Sequence, residues 1–526
     1  MSLKTQTSVL VILFLYILIG IYLSINTGIS HDEFYEQHNW VINLNAIKSF
    51  ITDRNYEDLL NYKDKYHGIG FHYLSQPFQF LFYKQVSNYL SVTEYGGILI
   101  SKHIFTFLIF TVSGLFLYLI LKQLIKDKYF VLISILIYLL YPYLFGHAQF
   151  NPKDIPFLSV WVICTYFIIK KIKKLFYKKK IKLKYFILFA IFSSLLVSIR
   201  TVGILIYFQL IIFLFIFFEN NNQNDIEKIK DNRKNILLTI GISLTFIYLL
   251  NPIFWHNPME FINSIKWMGK YQQDVCTVTL GKCVKALNLP SNYYFIWFFF
   301  KLPIVVIIGF FLYPLVEKKL SKNIFLKLIL LSLIFTLAFI LLLLILFNVA
   351  IYDEIRHIMF LLPLIFIISL SNLYIFNKKL FSIIGSACII FFIFENYSLN
   401  PYQYTWLNSF SKFYKIDKTF EVDYWGISGK NLNLKIRDHA IQNKIEKSIC
   451  IYGGNFSEVF LNSEGFKCFK SYSELDQADN RPFYVVQNVR NLKRSKPKDC
   501  KLIGKENFNY TLFNQEVRSG SVWYCD

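Results

Sequence analysis

Charge is scarce in this 526-residue chain: Asp, Glu, Lys and Arg make up 17% of it, against 55% hydrophobic and 19% aromatic residues. That composition, with a mean hydropathy of +0.40, excludes an ordinary soluble globule. Acid is scarcer still, with 34 Asp and Glu against 56 Lys and Arg, for a formal net charge of +22. Such an excess could suit nucleic acid, but the lysines gather in alternate loops between apolar runs, as the positive-inside rule describes, and nucleic acid is excluded as a partner. No small-residue cleavage site follows the first apolar run, Ser8 to Ile25, so that run reads as a span and not as a removed signal. No internal repeat is evident, and no His or Cys spacing forms a zinc signature. Gly453-Gly454 is too short for a phosphate loop and reads as a turn.

What is present is a series of apolar runs, each long enough to cross a bilayer as helix. Eleven spans are expected, at roughly 8–27, 97–121, 129–146, 155–170, 185–199, 202–218, 236–255, 292–313, 324–347, 357–376 and 380–396. Lys4, Lys122, Lys126, Lys128, the nine lysines of 170–184, Lys228, Lys230, Arg233, Lys234, Lys318, Lys319, Lys322, Lys378 and Lys379 all fall on one side if the amino terminus is cytoplasmic. The odd number of spans then places residues 397–526 outside. The abundance of Ile, Lys, Asn, Phe and Tyr suits an AT-rich genome, so the expected location is a bacterial inner membrane.

The expected fold is therefore an α-helical polytopic membrane protein, residues 1–396, with a small C-terminal α/β extracytoplasmic domain, residues 397–526. In that domain Leu432–Ile445 and Phe456–Leu461 read as helices, and Ser448–Tyr452, Pro482–Gln487, Tyr510–Val517 and Val522–Cys525 as strands. A long first external loop, 28–95, carries Trp40, Val41, Leu44, Ile47 and Ile51 at helical spacing. These suit a helix lying in the interface with Trp40 at headgroup depth, or one packed on the spans. A second such helix, Phe71–Leu90, is expected to break near Pro77. Cys164 and Cys388 lie inside spans; the other six cysteines lie outside, where disulfides are expected. Cys276 and Cys283 close one short loop and are the expected pair, whereas pairing among Cys450, Cys468, Cys500 and Cys525 stays open. Asn396, Asn455 and Asn509 each begin an N-x-Ser/Thr sequon.

Four polar stretches sit at expected external edges. The first is Gly28-Ile29-Ser30-His31-Asp32-Glu33, an acidic pair where the first span ends. The second is His147-Ala-Gln-Phe-Asn151-Pro152-Lys153-Asp154-Ile-Pro156, whose prolines make a fixed polar turn. The third is Ser198-Ile199-Arg200-Thr201, where an arginine at the boundary of two helices needs an anionic partner or water. The fourth is Tyr352-Asp353-Glu354-Ile-Arg356-His357, ahead of Pro363. Carboxylates near phosphate-binding cations suit one reaction class: a carboxylate deprotonates an acceptor hydroxyl while cations stabilise a departing phosphate.

At these residues the chain resembles the GT-C superfamily of integral-membrane glycosyltransferases, and within it the protein O-mannosyltransferase and lipid A aminoarabinose transferase group. Asp32 and Glu33 match the acidic pair of the first external loop. His147, Phe150 to Asp154 and Pro156 match a segment that follows the third span. Arg356, His357, Leu362 and Pro363 match a late Arg-Tyr/His before a Leu-Pro. The segments Asn400-Pro-Tyr-Gln-Tyr404 and Asp423-Tyr-Trp-Gly426 are also similar to bacterial members, with no chemistry attached. The resemblance implies a polyprenyl-phosphate-linked sugar as donor and an acceptor glycan, lipid or protein in the cell envelope. It implies Asp32 as base, with Glu33 and Asp154 shaping or coordinating the site and Arg200 and Arg356 holding the phosphate; Lys153, Tyr352 and His357 in the same polar stretches are further candidates for binding it. Metal use varies in the group, and a divalent ion would draw on His31 and His147. The tail is not a sugar-binding trefoil. A rival reading is a transporter or flippase of a lipid-linked or anionic solute, which would hold phosphate with the same cations; the absence of repeated halves favours the enzyme.

Overall fold

The computed structural model describes residues 3–219, 232–269, 275–454, 456–477, 481–490, 497–510 and 515–526. Lys228, Lys230 and Asn455 lie outside them. Each of the eleven apolar segments is helical. Among the described residues seven helices are long and apolar enough to cross a membrane, and up to ten spans result if each of three bent pairs is one span. The 17-residue apolar helix Leu183–Ile199 is additional.

The bends correct the expectation of straight spans. Between Lys128–Leu140 and Pro142–Ala148 the chain turns by 59°, and between Tyr293–Lys301 and Ile304–Phe311 by 118°. Both breaks fall at a proline that opens the next helix, Pro142 and Pro303. A proline lacks the N–H needed to continue the preceding helix, and it forces the residue before it into extended backbone. Residues 292–313 are thus not one straight span. Pro77, by contrast, does not break its helix, which runs from Gly70 to Leu90.

Two helices are almost wholly enclosed by the others, Asp154–Phe176 and Arg356–Phe376, while Arg233–Leu250 and Lys378–Ser398 are mostly exposed along their length. The two enclosed helices begin at the same end of the bundle, with Asp154 and Arg356 as their first residues. A polar cluster is therefore fixed at the head of the most constrained part of the molecule.

The helix His31–Asp53 resolves the two readings of the first loop in favour of packing. Its buried face is polar (Glu33, Glu36, Gln37, Asn39, Asn43) around Trp40, whose ring stacks on His72 at 5.5 Å. Val41 and Ile51 face outward instead.

The C-terminal α/β unit has a five-stranded sheet in the order Cys468–Lys470, Cys450–Gly453, Phe483–Asn488, Gln515–Cys525, Cys500–Tyr510. The first three strands are parallel and the last two pairings antiparallel. Leu432, Ile436 and Ala440 of the helix Gly429–Gln442 pack on Ile451, Tyr484, Val486 and Val522. The hairpin corrects the expected strands: Cys500–Tyr510 overlaps the expected Tyr510–Val517 only at Tyr510, residues 511–514 lie outside the described residues, and Gln515–Cys525 joins two expected pieces into one. Its charged and polar residues alternate with apolar ones too irregularly to signal a strand, since the pairing carries two register shifts. Disulfides link Cys276 to Cys283, as expected, and Cys450 to Cys468 and Cys500 to Cys525, each of the latter joining directly paired positions on neighbouring strands.

This unit does not float free of the helices. Tyr402, Tyr404, Trp406, Phe508 and Tyr510 belong to the same continuous core as the bundle. A Cβ on Gly28 would lie 2.2 Å from the Ile427 carbonyl, and one on Gly146 would lie 2.2 Å from the Tyr404 amide. Glycine is required at both for backbones to meet.

Candidate active site

The helix His31–Asp53 starts with a Ser-x-x-Glu cap. The Glu33 carboxylate accepts from the Ser30 N–H at 2.7 Å, and its other oxygen lies 2.7 Å from His103 Nε2. Glu33 is 1% exposed and fully engaged, so it does not join the cluster formed by its neighbour. Asp32, one position earlier, points the other way. Its side chain is 44% exposed, and one oxygen lies 3.2 Å from Arg356 Nη1.

Asn151 shapes the second stretch. Its Oδ1 accepts from the N–H groups of Lys153 (3.1 Å) and Asp154 (2.9 Å), which turns the chain into the helix Asp154–Phe176. Its Nδ2 donates to Asp154 Oδ2 at 2.9 Å. Asp154 then binds Arg200 through one oxygen and lies 3.6 Å from Arg356 Nη1 through the other. Arg200 is placed where Leu183–Ile199 ends, in extended backbone before the 3₁₀ turn Thr201–Ile204.

Arg356 is the hub. Nη1 faces Asp32 and Asp154, and Nη2 lies 3.6 Å from Asp353. Its guanidinium sits 4.7 Å from the ring centres of both Tyr352 and Trp425. An arginine 3% exposed is sustained by such multiple partners. The His357 ring packs edge-on to Tyr352 at 4.6 Å. Arg200 Nε, Arg356 Nε, His357 Nδ1 and the Thr201 hydroxyl are buried atoms with no hydrogen-bond partner among the described residues. Burial holds the Tyr352 phenol up at about 12, so it keeps its proton at neutral pH.

Lys153 is placed differently from the expectation of a phosphate ligand. Its Nζ donates to Glu36 Oε2 at 3.0 Å and to the Gly68 carbonyl at 2.7 Å. It ties the first loop to the Asn151 turn. His147 is likewise spoken for: Nδ1 lies 3.1 Å from Asn151 and Nε2 lies 3.3 Å from the Tyr424 hydroxyl. Among the described residues no group of three or more His, Cys, Asp or Glu is arranged to hold a metal.

Three site residues were not singled out from the sequence as functional, Glu36, Trp425 and Arg490, and Asp353 stood in the fourth polar stretch without a role of its own. Arg490 binds Asp353 from the C-terminal unit. Trp425 is set by the turn it belongs to. Asp423 accepts from the Tyr404 hydroxyl at 2.6 Å and from the Ile427 amide at 2.9 Å, and the Trp425 carbonyl accepts from the His31 N–H at 3.1 Å. Burial pushes the Asp423 carboxyl up to about 6 and that of Glu354 to about 8; for Glu354 the Lys301 ammonium at 2.7 Å opposes the shift. The sequence signals for these roles were the Asp-Tyr-Trp-Gly segment itself and the acidic neighbour of Arg356.

Residues 95–249, which include Asp154 and Arg200, match the family model described as dolichyl-phosphate-mannose-protein mannosyltransferase. Among solved structures the chain is similar to ArnT from Cupriavidus metallidurans in the apo state, at 10% identity and a TM-score of 0.49, over 99% of this chain and 98% of that one. No curated protein sequence matches the chain. The family match falls on the part of the chain that carries Asp154 and Arg200, two of the polar positions singled out from the sequence.

Proposed function

We propose that this protein moves a sugar from a polyprenyl-phosphate donor to an acceptor hydroxyl on the extracytoplasmic face of the membrane, with inversion at the anomeric carbon. The observation that carries the reading is the division of labour among the acids. Glu33, Glu36, Asp154 and Asp353 are buried and bonded, whereas Asp32 reaches solvent beside a buried arginine. A base must reach the proton it removes, and Asp32 is the acid of this cluster so placed.

In the proposed step the acceptor oxygen attacks the anomeric carbon in line, and its proton passes to Asp32. The bond from that carbon to the phosphate oxygen breaks, and the electron pair leaves with the polyprenyl phosphate. Arg356 and Arg200 stabilise the charge that develops there; their unpartnered Nε–H groups are donors left over from the ion pairs, with the Thr201 hydroxyl and His357 Nδ1 also without a partner beside them. Asp154 holds both arginines in place. The lysine-rich loops on the opposite side support the orientation. Lys153 and Glu36 act in this scheme by fixing the first loop against the Asn151 turn.

The test is transfer from radiolabelled polyprenyl-phosphate sugars by purified protein in detergent, with the anomeric configuration of the product read by NMR. Label leaving the lipid for a product of inverted configuration supports the reading. Retained configuration removes the single-displacement step. Donor that binds without being consumed across a broad panel removes the transferase reading.

A further inference from the structure

We propose that Arg490, supplied by the C-terminal α/β unit, is a positioning residue for donor phosphate: through Asp353 it sets the rotation of the Arg356 guanidinium. The proposal rests on the transfer reading above and gives the C-terminal unit a part in it.

Arg490 lies in the turn after the strand Phe483–Asn488. Its Nη2 binds Asp353 Oδ1, and the other oxygen of Asp353 faces Arg356 Nη2 at 3.6 Å. Arg490 Nε lies 3.8 Å from Glu421. Glu421 in turn accepts from the Val278 amide at 2.8 Å, and the Asp353 amide donates to the Thr277 hydroxyl at 2.8 Å. Both anchors are on the hairpin closed by Cys276–Cys283. Asp353 holds a left-handed backbone, φ 55°, which a non-glycine residue keeps only where its surroundings impose it. Asp353 is thus held by Arg490 at its carboxylate, by Thr277 at its amide and by its constrained backbone.

The consequence falls on Arg356. A guanidinium is a planar fork, so fixing two edges fixes the third. Nη1 is directed to Asp32 and Asp154, and Nη2 to Asp353. The remaining edge, Nε, is the one without a partner. Releasing Asp353 frees the fork to turn toward Asp32, which withdraws the donor edge and occupies the base.

The test measures the dissociation constant of sugar-free polyprenyl phosphate for the full-length protein in detergent, for wild type, Arg490→Ala, Arg490→Lys, Asp353→Asn and the double variant Arg490→Ala/Asp353→Asn. Each is first checked for monodisperse elution. Positioning predicts that both single changes weaken binding about tenfold, that the double variant is no worse than either, and that Arg490→Lys also weakens it because an ammonium lacks the fork. If Arg490→Ala fails to fold, Arg490→Lys carries the comparison. A purely long-range charge effect gives a different pattern: Asp353→Asn binds more tightly and Arg490→Lys is unchanged. That pattern, losses that multiply in the double variant, or Arg490 variants within twofold of wild type overturn the proposal. A wild type that does not bind polyprenyl phosphate overturns the transfer reading itself.

Discussion

Asp32 and Arg356 stand 3.2 Å apart although 324 positions separate them in the chain. Asp32 is half exposed and Arg356 is buried, so the pair places one partner in solvent and the other in the protein. A surface pair of this kind adds little stability, whereas the buried partner needs its other acids. The predictions below follow from that asymmetry.

Asp32→Asn is expected to lower the transfer rate by about 10²–10⁴-fold, the usual contribution of a general base, with little change in thermal stability. Labelled transfer beside a melting curve checks both. A well-folded Asp32→Asn protein that transfers at the wild-type rate removes Asp32 from the role of base.

Asp154→Ala behaves in the opposite way. It leaves Arg200 and Arg356 buried without the acid they share, and breaking such a pair costs about 3–5 kcal/mol. Its melting temperature should fall clearly below that of Asp32→Asn. Adding Arg200→Ala should recover part of the loss, since it removes one uncompensated charge. A double variant less stable than Asp154→Ala contradicts this account.

Glu33→Gln separates two adjacent acids. Glu33 caps its helix and binds His103, and it touches none of the arginines in the cluster. The expected outcome is a lower melting temperature with the turnover of the folded protein within a few-fold of wild type. Turnover lost as completely as in Asp32→Asn would assign Glu33 a catalytic part.

Asp423 makes stability depend on pH. Its carboxyl is raised by burial to about 6, above the 3.8 of an exposed Asp, so the folded chain binds this proton more tightly than the unfolded chain. The stability it contributes is fully present below about pH 4 and is lost as pH rises through 6, amounting to about 3 kcal/mol by pH 7. Asp423→Asn cannot lose a proton. The melting temperature of wild type relative to Asp423→Asn should therefore drop between about pH 4 and 6, and a difference that does not vary with pH argues against it.

The amino-acid sequence by itself determined the helical segments and the chemistry at their ends. Apolar runs of span length must bury or face lipid whatever their neighbours do, so run length located the helical segments, although among the described residues seven helices, or up to ten spans with the bent pairs, are long enough to cross. A short loop with two closely spaced cysteines left one sensible pairing, Cys276 with Cys283. The polar stretches at Asp32, Asp154, Arg200 and Arg356 were legible because charge beside an apolar run is costly without a purpose.

Which of those groups face one another was a matter for the tertiary structure. Asp32 and Glu33 are adjacent in sequence, yet a helix turns successive side chains by about 100°, so one meets Arg356 and the other His103. Lys153 reads as a cation free for phosphate until Glu36 and Gly68 are brought to it. Arg490 carries no local signal of its part, and the Asp-Tyr-Trp-Gly segment marks Trp425 without saying what it meets, because the partners of both lie across the interface between the bundle and the C-terminal unit. Sequence sets what each segment can do within a turn or two of helix; long-range packing decides which buried charge finds which partner, since that energy exists only when both are in place.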